Sequence, residues 1–188
     1  MRSNFFLLTL IGFQLFAFTC NTAKRQADFM RFHENTLTDT TLNSVFASLH
    51  WTIERSPVDT VAKYYQQSAA QNQFPTSAID CADGEYFGET LVDDYGYKHI
   101  VLIKIKAGKI IEIDYDEIDK TGKGKQFDLH YCEKMSVTGT TPAIAYPIYE
   151  KQMIAKQDLM KVDAVSGATY SLYRFRYAVN RALFQAKR

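Results

Sequence analysis

The chain has 188 residues, 46% of them hydrophobic, 23% charged and 14% aromatic. These proportions suit one folded domain with appendages and exclude a disordered, collagenous or coiled-coil chain. Its 22 basic residues face 21 acidic ones with no long run of either sign, so there is no basic excess of the kind a nucleic-acid binder shows.

Residues 1–20 read MRSNFFLLTLIGFQLFAFTC. Arg2 precedes an apolar stretch from Phe5 to Phe18 that is short of the roughly 20 residues a spanning helix needs and fits a secretory core. It ends at Cys20, followed by the polar run Asn21 to Arg25. The segment resembles a bacterial lipoprotein signal, although Ala17 and Phe18 depart from the preferred residues. The resemblance implies cleavage after residue 19, lipidation of Cys20 and a chain anchored in the cell envelope, facing the periplasm or exterior. Losing residues 1–19 removes Arg2 and no acid, which leaves a near-neutral mature domain. Cys81 and Cys132 remain, and two readings of them stand: a disulfide formed in an oxidising compartment, or two buried thiols.

Residues 20–36 are expected to be a tether, and 37–75 a helical extension. Leu42, Val45, Phe46 and Leu49 recur at helical spacing and predict a helix ending near Trp51. Ser56-Pro57 reads as an N-cap and first-turn proline. Val58, Val61, Ala62, Tyr65 and Ala69 mark the apolar face of the helix that follows, which stops in Gln71 to Pro75. From 76 to 188 a separate domain is expected. Its first strand is Gly84 to Glu89. The run His99 to Lys106 turns Val101, Ile103 and Ile105 to one side, and Lys104 and Lys106 to the other. After a turn at Ala107-Gly108, Ile111, Ile113 and Tyr115 alternate against Glu112 and Asp114, completing a β-hairpin. Asp119 to Lys125 reads as a polar turn. Pro142 to Lys156 is helical, with a start or kink at Pro147. Leu172, Phe175, Val179, Ala182 and Leu183 define a terminal amphipathic helix. The fold class is α+β: a small antiparallel sheet packed by helices, with an N-terminal helical extension.

The segment that carries chemistry is Asp163-Ala164-Val165-Ser166-Gly167-Ala168-Thr169, ahead of that last helix. Amides of a first helical turn lack intrahelical partners, and the helix dipole adds positive potential. Gly167 and Ala168 admit a close neighbour, while Ser166 and Thr169 offer hydroxyls. Such an end suits an anion. The plainer reading is helix capping by Ser166 or Thr169.

The wider pattern resembles the FMN-binding domain family, which includes flavin-bearing components of the sodium-translocating NADH:quinone reductase and of Rnf-type electron-transport complexes, and extracytoplasmic flavin lipoproteins. Asp163-x-x-Ser166-Gly167-Ala168-Thr169 looks like its flavinylation motif. Asp83-Gly84-Glu85-Tyr86-Phe87-Gly88-Glu89 looks like its opening strand, and Lys106-Ala107-Gly108-Lys109-Ile110 like its turn. The similarity spans roughly residues 80 to 185, and Asp93 to Tyr97 with Tyr115 to Glu117 look most like the lipoprotein branch. It implies covalent FMN, held by a phosphoester to Thr169, with Asp163, Ser166, Gly167 and Ala168 completing the motif. It also implies a flavin transferase that installs the FMN from FAD, and a membrane donor such as a quinone- or NADH-linked dehydrogenase. The motif occurs once, and the short segment before Cys20 argues against a component of the membrane complexes.

Tyr95, Tyr97 and Tyr146 are candidate walls for the flavin ring, or plain core and surface aromatics. The implied role is an electron carrier rather than a stand-alone enzyme. Two alternatives are an envelope binding protein in which Thr169 is never modified, and a flavin enzyme that reduces a small extracellular substrate. His33, His50, His99 and His130 show no metal-ligand spacing. Gly122 to Lys125 lacks Walker spacing and reads as a solvated turn. Asp93-Asp94 and Asp114 to Glu117 read as a solvated sheet edge rather than a cation site.

Overall fold

The structure, a computed structural model, describes residues 40–187. The signal segment, Cys20 and the tether lie outside them, as do His33 and the side chain of Leu42. Helix α1 spans Thr40–Arg55 and α2 spans Val58–Ala70. Strands β1 (Gly84–Glu89), β2 (Lys98–Lys106) and β3 (Lys109–Ile118) follow, then α3 (Leu129–Ser136), α4 (Pro142–Lys156) and α5 (Thr169–Ala186). The strands form an antiparallel sheet in the order β1-β2-β3, and the α+β class holds. No helix among the described residues is long and apolar enough to cross a membrane.

Helix α1 runs past Trp51 because Ile53, four residues beyond Leu49, continues the stripe begun by Phe46, and all three are buried. Pro57, not Ser56, takes the cap position of α2 and caps with no side chain. Val61, Tyr65 and Ser68 are the residues α2 buries, at helical offsets. Helix α4 begins at Pro142 and continues through Pro147 as one element.

The β2–β3 hairpin closes through Ala107 and Gly108, both at positive φ (51° and 71°), as a two-residue turn of this hand requires. Asp83 of the opening motif steadies it, its carboxylate accepting from the Ala107 amide at 2.8 Å. On β2, Val101, Ile103 and Ile105 all face the core as expected. On β3 the alternation departs from expectation. A bulge between Lys104 and Ile105 pairs Ile105 with Ile110 while Lys104 still opposes Glu112. Ile111 is the extra residue; it faces solvent, and Ile110 takes the buried place.

Helix α5 lies between two apolar layers, and for that reason most of it is buried. Leu172, Phe175, Val179 and Leu183 meet the sheet and α4, while Tyr173 and Tyr177 meet Phe46, Leu49, Val61 and Tyr65 of α1 and α2. The helix approaches β1 closely at Gly88, where a Cβ would stand 2.0 Å from the Ala178 carbonyl oxygen. The Tyr65 hydroxyl donates to Asn180 Oδ1, and Asn180 donates to the Pro75 carbonyl at 2.6 Å, so both buried polar groups are satisfied.

Candidate functional site

The motif loop is gripped by one face of α4. The Tyr149 hydroxyl donates to the Ala168 carbonyl at 2.8 Å. Gln152 accepts from the Asp163 amide at 2.8 Å, and Lys156 pairs with the Asp163 carboxylate at 2.5 Å. These three residues sit at i, i+3 and i+7, on one helical stripe. Gly167 has φ +79°, and a Cβ there would meet Thr138 Oγ1 at 2.5 Å. Its lack of a side chain lets the loop turn against the Thr138–Thr140 segment.

Helix α5 then starts with Ala168 in the cap position and no side chain capping it. Neither Ser166 nor Thr169 acts as the cap, so the plain capping reading fails. Thr169, Tyr170 and Ser171 form the first turn, whose amides have no intrahelical acceptor, and all three border a cavity of about 620 Å³. That volume falls within the roughly 300–1,000 Å³ usual for small-molecule sites. Gly167 and Ala168 border it too, with Asp94 and Tyr95 from the β1–β2 loop and Tyr131 and Met135 from α3. Lys125 and Arg174 bring two cations to the same wall, and Ile53, Glu54 and Val58 close another side.

Of the aromatic candidates, Tyr95 stands at the cavity, 74% exposed. Its place follows from Asp93, whose Oδ1 accepts from the amides of Tyr95 and Tyr97 at 2.9 and 2.8 Å and folds the loop around itself. Tyr97 and Tyr146 are not among the lining residues. The Tyr97 hydroxyl is engaged by Asp128 at 2.9 Å, and burial together with that carboxylate pushes its pKa up to about 12. Tyr146 is buried edge-on against Tyr115 with ring centroids 4.9 Å apart, so it belongs to the core. Asp163 and Ser166 are exposed and lie off the lining; Asp163 acts on the loop through Lys156 and Gln152.

The acidic segments expected at a solvated edge are buried in part, with Asp94 exposed and Asp114 half-buried. Asp93, Asp116 and Glu117 are each at most 5% exposed. Lys125, expected in a solvated turn, is 2% exposed. The turn itself forms, with Asp119 accepting from Thr121 and Lys123, but the chain then enters a 3-10 turn and α3, which drive Lys125 inward.

A network results. His99 and Glu117 are directly opposed in the β2–β3 register, both on the face that meets the helices. His99 Nδ1 lies 3.5 Å from Glu117 and Nε2 lies 3.2 Å from Asp93. Lys125 pairs with Glu117 at 2.7 Å, and Arg174 approaches Asp93 at 3.7 Å and grips Glu54 with two bonds of 2.8 and 2.6 Å.

Burial opposes charge on His99, Glu117 and Asp93, and their pairing overrides it. Burial alone would lower the His99 pKa, but Glu117 and Asp93 hold it above the ordinary value. His99 and Lys125 hold Glu117 well below the carboxylate range despite its burial, and Asp93 is likewise lowered, by His99, the Tyr97 amide and Arg174.

Ligand atoms of Asp93, His99 and Glu117 all lie within 4.8 Å of one another, an arrangement that spacing in the sequence did not reveal. Lys125 and Arg174 already balance the carboxylates, so the group reads as an ion-pair network behind the cavity. Cys81 and Cys132 are not bonded to each other. Cys81 is buried with its sulfur 3.6 Å from the Leu183 carbonyl, and Cys132 sits on α3 beside the Gln126 carbonyl at 3.4 Å.

The residues present suit a flavin mononucleotide. Uncapped amides and a threonine hydroxyl would receive a phosphate, two nearby cations would favour the anionic group, and tyrosines offer flat walls. Comparison with known proteins agrees with this class of site. The sequence profile of the FMN-binding domain family matches residues 95–184. A "15 kDa lipoprotein" of Treponema pallidum (strain Nichols) is 32% identical over 97 residues, 51% of this chain and 68% of that protein. The solved structure of the CPE2226 protein from Clostridium perfringens is 39% identical and superposes with a TM-score of 0.53 over 56% of this chain and 88% of that one. The chain belongs to the FMN-binding domain family.

The sequence reading missed Lys125, Arg174, Tyr131, Met135 and the α1–α2 residues of the cavity. A signal existed for Arg174, one helical turn after Tyr170 in a helix otherwise expected to be buried. None existed for Lys125, whose partner Glu117 is brought to it by the fold.

Proposed function

We propose that this protein is an exported, lipid-anchored flavoprotein that carries FMN covalently on Thr169 and relays electrons from a membrane dehydrogenase to an extracytoplasmic acceptor. The observation that carries the reading is Thr169 on the first, uncapped turn of α5 at the edge of a cavity furnished with Lys125 and Arg174. The Thr169 hydroxyl oxygen forms the ester bond to the phosphorus of the FMN half of FAD. The pyrophosphate bond breaks, AMP leaves, and the hydroxyl proton is released. The first-turn amides, with the α5 dipole, hold the anionic ester. Tyr95 and Tyr131 would flank the bound ring, and Lys125 and Arg174 would favour negative charge on it. Bound flavin supplies the capacity to accept two electrons together and release them singly. A tether suits an exported carrier, because it keeps the effective cofactor concentration on the order of millimolar where free FMN is dilute.

The envelope location is supported by the apolar segment ending at Cys20 and by the relative named as a lipoprotein. The deciding experiment is intact mass after coexpression with a flavin transferase. Wild type should gain one FMN less water, and Thr169→Ala should gain nothing and stay colourless. Native-host protein without the adduct would overturn the reading in favour of an unmodified envelope protein.

A further inference from the structure

The family match begins at residue 95, so α1 and α2 lie upstream of it. Yet Ile53, Glu54 and Val58 border the cavity. The helical pair is also fastened to the helix that bears Thr169. Phe46 stacks on Tyr177 with ring centroids 5.6 Å apart and planes at 14°. The Tyr170 hydroxyl donates to the Ser56 carbonyl at 3.1 Å. Glu54, 3% exposed in its side chain, holds Arg174 through two short parallel bonds. Such a fork fixes both the position and the plane of the guanidinium. Arg174 also approaches the more distant Asp93 carboxylate, and its cationic end stands 5.7 Å from the Tyr95 ring at the cavity.

We propose that the α1–α2 pair is a built-in wall of the flavin pocket and that Glu54 is a positioning residue, aiming Arg174 at the ring and setting how much positive charge the ring meets. The proposal rests on the flavin reading above. Its physical content is direct. Reduction places electrons on the ring, so a nearby cation favours the reduced form and an anion beside that cation weakens the effect. Glu54 therefore holds the midpoint potential down while holding the arginine in place, and its side chain and those of Ile53 and Val58 limit water at the ring.

The test uses full-length protein loaded by coexpression with a flavin transferase. Adduct mass is read first, then the midpoint potential against reference dyes. Glu54→Gln should shift the reduction equilibrium about tenfold toward the reduced form, about 30 mV for a two-electron couple. Glu54→Asp keeps the charge and should recover most of that shift. Glu112→Gln, an exposed carboxylate change on β3, should leave the potential in place. Val58→Ala should make the flavin more accessible to iodide quenching.

A measurement without any change at Glu54 guards against a variant that fails to fold. In wild type, amides of residues 53–56 and of Val58 should exchange more slowly with flavin attached than in Thr169→Ala. A loaded wild type with an unmoved Glu54→Gln potential, or with no slowing at those amides, overturns the wall and leaves the flavin reading standing. A wild type that never gains the adduct overturns both.

Discussion

Lys125 places its ammonium 2.7 Å from the Glu117 carboxylate with both side chains withdrawn from solvent. Glu117 also faces His99 and accepts from the Tyr115 hydroxyl at 3.2 Å. Three rings surround the lysine, Tyr131 at 4.4 Å, Tyr97 at 4.5 Å and Tyr95 at 5.8 Å from its nitrogen, so the cation is held by a carboxylate on one side and by aromatic faces on the other. Removing one partner strands a buried charge. Lys125→Met should cost about 3–5 kcal/mol of unfolding free energy. The double variant Lys125→Met with Glu117→Gln should recover a large part of that loss. Urea titration of the four proteins of the cycle measures it, and additive losses would show that the pair is not coupled.

The network gives stability two pH limbs of opposite sign. His99 has a raised pKa in the folded state. Its contribution is complete below its unfolded value of 6.5 and is lost as pH climbs through the raised one. Asp93 and Glu117 are lowered from 3.8 and 4.5. Theirs is complete above those values and is lost as pH falls through the lowered ones. Urea midpoints recorded from acid to alkaline pH should therefore peak between the two limbs. His99→Gln should flatten the alkaline limb and shrink the acid one, because His99 is also a cause of the lowered carboxylates. An unchanged alkaline limb in His99→Gln would refute the assignment.

Gly88 is where β1 touches α5. A Cβ would stand 2.0 Å from the Ala178 carbonyl oxygen and 2.7 Å from the Ala182 nitrogen, both backbone atoms of α5. Neither can rotate away, so Gly88→Ala must push the helix off the sheet. The expected loss is about 3 kcal/mol or somewhat more, read as a lower urea midpoint. A variant as stable as wild type would mean that α5 shifts freely on β1.

Gly167 tests the loop rather than the core. Alanine there meets the cost of φ +79° and a contact with Thr138 Oγ1 at 2.5 Å, the end of a side chain that can rotate. About 1–2 kcal/mol of destabilisation is expected. The larger effect should fall on loading, since the displaced loop carries Thr169. The adduct-bearing fraction in the mass spectrum should drop well below wild type while far-ultraviolet circular dichroism stays unchanged. Full loading would show that the loop needs no left-handed residue at this position.

What was readable from the chain alone was whatever depends on near neighbours. The periodicities of α2, β2 and α5, the Ala107-Gly108 turn and the seven residues from Asp163 to Thr169 all express contacts or dihedrals set within a few positions. The α+β class and the place of Thr169 at a helix start followed from them, and the family from the resemblance of the motifs at residues 83–89, 106–110 and 163–169. Folding decided what depends on residues far apart in sequence. The bulge at Lys104/Ile105 flipped Ile111 outward because the partner strand sets the register. Asp93, Glu117 and Lys125 look like solvated charges in a linear text; they are buried because each is neutralised by a group that another segment delivers. Glu54 reaches Arg174 across 120 positions, and no local pattern encodes a distance of that kind. Burial and charge pairing are properties of the assembled packing, so the motif could be read off the sequence, while the pocket that would receive the flavin had to be built.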